Sequence, residues 1–298
     1  MSVSPVAFTG CGTALVTPFQ QDLSIDEATL RSLIRWQIEE GIHFLVPCGT
    51  TGESPTLTRE EHLRVVAICV EEARGKVPVL AGAGGYNTVE VISLAREIEK
   101  IGAQGILSVT PYYNKPTQEG LYQHYKVIAE SIGLPLVVYS VQGRTGVNVE
   151  PATLARLAAI PNIIGVKEAS GNISQMAAVI HQVPEGFLVF SGDDAITIPI
   201  IALGGHGTIS VASNEIPGPM SKLVQFCLDG NFAEARKLQR KYLPLMEINF
   251  VESNPIPVKA ALGLMGRLNP VFRLPMVPPR AESFQKIEQV LRSVGLAK

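Results

Sequence analysis

The sequence predicts an α/β fold, a (β/α)8 barrel of the TIM-barrel class followed by a C-terminal helical appendage. Three observations carry that expectation. Short apolar runs alternate with amphipathic segments of helical length from Gly10 to Gly230. Strands at that spacing must run parallel, because each return to the sheet needs a crossover. Eight such units in roughly 230 residues suit a closed barrel better than an open doubly wound sheet. After Gly230 the alternation stops, which divides the chain into a barrel over residues 1–230 and a helical domain over residues 231–298.

Taken in order, Gly12–Thr17 reads as the first strand and Ser24–Glu40 as the first helix. Ser24 with Glu27 three residues on has the spacing of a capping box, and Gly41 stands where the helix should end. Then come strand Phe44–Cys48, helix Arg59–Arg74, strand Val77–Ala81 and helix Thr88–Ile101, closed by Gly102. Strand Gly105–Thr110, helix Gln118–Ser131, strand Leu134–Ser140 and helix Pro151–Ala159 follow. The remaining pairs are Ile163–Lys167 with Ile173–His181, Phe187–Ser191 with Ala195–Leu203, and Gly207–Val211 with Gly218–Asp229. Beyond them Phe232–Asn249, Pro255–Leu268 and Pro279–Gly295 read as helices with no strand between. Leu274-Pro-Met-Val-Pro-Pro279 reads as an extended connector.

Composition narrows the function. Hydrophobic residues at 46% against 17% charged fit a large buried core, and a net charge of -2 without basic runs disfavours nucleic acid or an anionic membrane as partner. Cys11, Cys48, Cys69 and Cys227 show neither C-x-x-C nor framework spacing, which reads as reduced thiols in a cytoplasm. Met1–Gly10 lacks the basic start and apolar core of a secretion signal, and no apolar run nears the roughly 18 residues of a membrane helix.

In such a barrel, chemistry sits at the carboxyl ends of the strands. The sixth strand ends on Lys167 and is followed by Glu168-Ala-Ser-Gly171. Alternation puts Ile163, Gly165 and Lys167 on one face and Ile164, Val166 and Glu168 on the other, so the adjacent ion pair is withheld. An amine left so at the end of an apolar strand is a candidate Schiff-base nucleophile, or else a lysine snorkelling to water. Tyr139 ends the preceding strand, and neighbouring strands about 4.8 Å apart would let its phenol meet that amine and carry protons. Cys48-Gly-Thr-Thr-Gly-Glu-Ser54 offers amide and hydroxyl donors for a carboxylate, or an ordinary glycine-rich turn. Arg144, between Gly143 and Gly146, offers a fork for a second carboxylate or is a surface arginine in a turn. Tyr112 and Tyr113 form an aromatic pair on the loop after strand four, a pattern that marks contact with ligand or subunit. Other site chemistries fit poorly. Gly82-Ala-Gly-Gly-Tyr-Asn87 lacks the third glycine of a dinucleotide fingerprint, and there is no G-x-S-x-G elbow. Asp193-Asp194 has no histidine pair at ligand spacing and reads as a helix cap.

Gly49-Thr-Thr-Gly-Glu-Ser54, Thr110-Pro-Tyr-Tyr-Asn114, Tyr139, Gly143-Arg-Thr-Gly-Val147 and Gly165-Val-Lys-Glu-Ala-Ser170 stand in this order along the chain. With them, the chain resembles the 4-hydroxy-tetrahydrodipicolinate synthase (dihydrodipicolinate synthase) family. That family belongs to the pyruvate-dependent lyases that include N-acetylneuraminate lyase. The likeness runs from Gly12-Thr-Ala-Leu-Val-Thr-Pro18 to Asn254-Pro-Ile-Pro-Val-Lys259. It implies a lyase condensing pyruvate with L-aspartate 4-semialdehyde on the diaminopimelate route to lysine. It also implies no cofactor or metal, and a homotetramer built from tight dimers. Lys167 would form the imine, Tyr139 would shuttle its protons, Thr50 would link Tyr139 into a relay, and Tyr113 would reach into a neighbouring subunit. Thr51 and the backbone at Ile209 would bind pyruvate, Gly192 would contact substrate through its carbonyl, and Arg144 would receive the semialdehyde carboxylate. Ser54, His62, Glu90 and Tyr112 match an inhibitory lysine site, whereas Pro55, Arg59 and Tyr86 depart from it. Ser140 replaces the family's usual Asn, and Gln142 a common Pro. Ser140 also occurs in related hydroxy-oxoglutarate aldolases, so cleavage of a 2-oxo-3-deoxy or 4-hydroxy-2-oxo acid is the alternative activity. A catalytically silent barrel with a binding role is the alternative from another class.

Overall fold

The computed structural model describes residues 8–297. The reading of Met1–Gly10 as free of a secretion signal falls mostly on residues 1–7, which lie outside the described residues.

Eight parallel strands form one sheet: β1 (Gly10–Ala14), β2 (Phe44–Val46), β3 (Leu80–Gly82), β4 (Gly105–Val109), β5 (Leu136–Ser140), β6 (Ile163–Glu168), β7 (Leu188–Ser191) and β8 (Gly207–Ser210). Their order is β2-β1-β8-β7-β6-β5-β4-β3. The remaining seam is closed by a parallel bridge between Leu45 and Val79, with Gly82 N donating to Pro47 O at 2.9 Å. The (β/α)8 barrel is therefore present.

The returns run through α1 (Glu27–Glu39), α2 (Arg59–Ala73), α3 (Thr88–Ile101), α4 (Gln118–Ser131), α5 (Gln142–Thr145), α6 (Pro151–Leu157), α7 (Ile173–Gln182), α8 (Thr197–Ala202) and α9 (Pro217–Leu228). Three more helices, α10 (Phe232–Ile248), α11 (Ile256–Leu264) and α12 (Ala281–Ser293), follow without a strand between them. Among the described residues no helix is long and apolar enough to cross a membrane.

Strand alternation builds two cores. Phe44, Leu80, Leu107, Val137, Tyr139, Phe190 and Ile209 pack together inside the barrel, while Leu45, Ala81, Ile106, Val138, Val166 and Val189 pack outward against helices. Phe44 meets Phe8 and Phe190 edge-on, with centroids 5.8 and 5.6 Å apart. Gly12 leaves room for that ring, since a Cβ there would stand 2.1 Å from a Phe44 ring carbon.

Several local readings are corrected. α1 is capped by Asp26, whose carboxylate accepts from Thr29 N at 3.0 Å, and not by Ser24. Ile25 is held in an antiparallel bridge to Phe19, so the backbone is still extended past Ser24, which turns to Asp22 instead. A working capping box lies on α2, where Thr58 and Glu61 exchange bonds. Pro78 supplies no donor, and β3 begins at Leu80 instead of Val77. The seventh return, between β7 and β8, is a 3₁₀ turn, Asp194–Ile196, before the short α8. On β6 the register slips between Leu136–Ile163 and Val137–Gly165. That bulge puts Ile163 among the outward residues and Ile164 against the inner ones, so Ile163 does not share the Lys167 face. Beyond Gly165 the alternation resumes.

Candidate active site

Lys167 and Tyr139 are directly paired across β5 and β6. Both are buried, and Lys167 Nζ stands 4.3 Å from the centroid of the Tyr139 ring. Alternation turns Glu168 the other way. Its carboxylate accepts from Gln175 Nε2 at 2.7 Å and from Ser170 Oγ at 3.0 Å. Burial raises the Glu168 pKa, and the bonds from Ser170 and Gln175 oppose that rise. The lysine is thus left facing a phenol and not a carboxylate.

A cavity of about 240 Å³ opens over this pair, and its walls include Thr50, Thr51, Arg144, Gly192 and Asn254. Thr50 and Thr51 come from the turn after β2, where Cys48 and Glu53 take positive φ of 56° and 55°. Arg144 rides on the four-residue helix α5, which the sequence showed only as a glycine-flanked loop. Gly192 must be glycine, because a Cβ there would lie 2.5 Å from that of Ala169. One buried amine, one phenol beside it, hydroxyl donors on one wall and a guanidinium on another suit imine formation with a small keto acid carrying a carboxylate.

The structure does not gather every candidate. Ile209 is buried in the inner core in register with Gly12, away from the cavity walls. Tyr113 is 91% exposed at φ 65° and lines neither cavity. Ser54, His62, Glu90 and Tyr112 do meet, in a second cavity of about 460 Å³ that shares Thr50, Tyr139, Val141 and Arg144 with the first. Burial lowers the His62 pKa, leaving a neutral ring whose Nε2–H donates to Gly82 O at 2.8 Å. Tyr86 packs edge-on to Tyr112, with centroids 5.2 Å apart.

Ser140 turns away from the Lys167–Tyr139 cavity. Its Oγ accepts from Val149 N at 3.2 Å on the outer face of β5, and neither it nor Gln142 borders either of these two cavities. Asn254 and Phe250, from the segment after α10, were missed as wall residues. Asn254 Nδ2 donates to Thr51 Oγ1 at 2.9 Å, and its carbonyl accepts from Arg144 Nη2 at 3.1 Å. The only sequence signal was its place in Asn254-Pro-Ile-Pro-Val-Lys259, a stretch far from any strand end.

Comparison with known proteins agrees with this geometry. A 4-hydroxy-tetrahydrodipicolinate synthase of Koribacter versatilis is 56% identical over 290 residues, 97% of each chain. The crystal structure of a chloride-inhibited dihydrodipicolinate synthase of Acinetobacter baumannii, complexed with pyruvate, superposes with a TM-score of 0.96 at 42% identity, over 97% of this chain and 100% of that one. A dihydrodipicolinate synthase of Cyanidioschyzon merolae with lysine bound gives 0.93 at 40%, over 97% and 99%. The model of the dihydrodipicolinate synthetase family matches residues 7–294, and with a strand-end lysine facing a tyrosine inside an eight-stranded barrel, the chain belongs to that family.

Proposed function

We propose that this chain condenses pyruvate with L-aspartate 4-semialdehyde to give 4-hydroxy-tetrahydrodipicolinate. The observation that carries the reading is Lys167 paired with Tyr139 at the floor of a cavity that Arg144 also borders. The Lys167 amine adds to C2 of pyruvate and water leaves, giving an iminium. That electron sink lets a methyl proton depart, and the resulting enamine carbon attacks the aldehyde carbon of the semialdehyde. The alkoxide formed takes up a proton. The semialdehyde's own amino group then adds to C2 and displaces Lys167, which closes the ring. Tyr139 carries the protons, with Thr50 beside it and Tyr113 of a second copy completing the relay. Thr51 and Gly192, both on the cavity wall, hold pyruvate, and Arg144 receives the semialdehyde carboxylate.

The assembly is a homotetramer of tight dimers. Exposed Tyr86, Val89 and Tyr113 support such pairing, at 53, 74 and 91% in a single chain. The cavity bordered by Ser54, His62, Glu90 and Tyr112 matches the family's inhibitory lysine site at those four positions and departs from it at Pro55, Arg59 and Tyr86, which border the same space. Residues 231–298 form the helical domain that packs on the barrel, and the four free, buried thiols fit a cytoplasmic setting.

Borohydride reduction in the presence of pyruvate tests the chemistry. Lys167 should gain the mass of the reduced pyruvate adduct, and no gain on that side chain would defeat the reading. Arg144→Ala should cut turnover of the semialdehyde by about a hundredfold while pyruvate labelling continues. Equal loss of both would remove Arg144 from its role.

A further inference from the structure

Two charges buried outside the cavity bear on its shape. Glu53 ends the Gly49–Glu53 turn two residues after Thr51, with a left-handed backbone at φ 55°. Its carboxylate accepts from Lys259 Nζ of α11 at 2.6 Å, with side-chain exposures of 1% and 0%. Phe19 and Phe272 enclose the ammonium, their ring centroids 4.4 and 5.1 Å away. Burial pulls the Lys259 pKa down, and the Glu53 carboxylate opposes that pull.

Removing both charges from water costs more than an apolar pair of the same volume would, so stability alone does not account for them. Their placement does. The left-handed backbone of a non-glycine residue needs support from outside, and here it is held on both sides. Thr17 Oγ1 donates to Gly52 O at 2.7 Å, and Thr56 N donates to Glu53 O at 2.9 Å. The same α11 segment begins just after Asn254, which bonds Thr51 Oγ1 and accepts from Arg144. One segment thus grips the threonine turn at two points, one inside the cavity and one behind it.

We propose that the Glu53–Lys259 pair is a positioning clamp, anchoring the threonine turn to α11 so that Thr51 stands at the right height over Lys167 to receive the keto acid. The inference rests on Thr51 being the keto-acid contact. Neither charged residue touches substrate, and their action passes through Thr51.

The test compares KM for pyruvate with KM for the semialdehyde on the full-length protein, alongside thermal unfolding. Glu53→Asp keeps the charges but is one methylene short. It should raise the pyruvate KM by about tenfold, the worth of one misplaced hydrogen bond, while the semialdehyde KM moves by less than about twofold. Glu53→Gln keeps an acceptor at full length and should recover most of that loss. The neutral double variant Glu53→Gln/Lys259→Met removes the clamp without stranding a charge, and should melt near the parent yet show the raised pyruvate KM. A pyruvate KM equal to the parent's in Glu53→Asp would overturn the proposal. So would two KM values raised alike, since general loosening would do that. If the double variant fails to fold, Glu53→Asp decides alone. Thr51→Ala separates the layers. A raised pyruvate KM there with none in Glu53→Asp sinks the clamp only, whereas no change in Thr51→Ala sinks the contact and the clamp together.

Discussion

Lys167 and Lys259 are both buried lysines that border the same threonine turn, and they have opposite surroundings. Lys259 is fully enclosed by a carboxylate and two aromatic rings. Lys167 faces a phenol and an open cavity, and among the described residues it makes no ion pair. The nearest carboxylate in sequence, Glu168, is carried to the other face of the sheet and spends its oxygens on Ser170 and Gln175. Burial by itself therefore does not make a nucleophile. A buried lysine becomes one where the fold withholds its counter-ion and leaves room for a substrate carbon; where both are denied, the same side chain is a brace.

The largest effect should come from breaking the reactive half. Lys167→Arg keeps a cation and much of the packing but cannot form the imine, and turnover should fall by more than about a thousandfold. Thermal unfolding should change little by comparison, because Lys167 pairs with no buried charge. A variant that kept a tenth of the activity would move the nucleophile elsewhere. The brace should respond the other way round. Lys259→Met strands the Glu53 carboxylate in the core and should cost about 3–5 kcal/mol in unfolding free energy. Denaturant titration measures it, and a loss below about 1 kcal/mol would mean that water or a proton reaches Glu53 at little cost.

The same contrast explains what was legible in the sequence. Lys167 and Tyr139 could be found because a strand end, a period of two and the order of strands are local properties, and the barrel turns them into a site without further information. The helices Thr88–Ile101 and Gln118–Ser131 were readable to the residue for a like reason, with a side-chain cap at one end of each. What escaped depended on distant parts of the chain. Asn254 reaches Thr51 across 203 positions and Lys259 reaches Glu53 across 206, and no local pattern encodes such a meeting. The slip at Ile163 escaped because a bulge leaves the residues apolar on both faces and alters only which face each takes. Ser24 looked like a cap, but the bridge from Phe19 to Ile25 belongs to tertiary structure and decided otherwise.

A third buried base sharpens the comparison with the smallest expected effect. His124 on α4 has neither a carboxylate nor an open cavity. Its Nδ1 lies 2.8 Å from Thr88 Oγ1, and its Nε2 has no partner among the described residues. Burial pushes its pKa down to about 4, so the ring stays neutral in the fold. The unfolded ring titrates near about 6.5 and takes up a proton sooner on acidification. A lowered folded pKa means that the stabilisation is present above about 6.5 and drains away as the pH falls toward 4, amounting to about 3 kcal/mol across that window. His62, also lowered by burial, adds to the same acid limb. Glu168 acts with the opposite sign, since its raised pKa gives stability that is lost as pH rises through the folded value. His124→Gln should therefore flatten, without abolishing, the fall in melting temperature between pH 6.5 and 4, measured at constant ionic strength. Parallel curves for the two proteins would show that His124 takes up its proton without unfolding, and that an enclosed base can escape the choice between partner and cavity that the two lysines face.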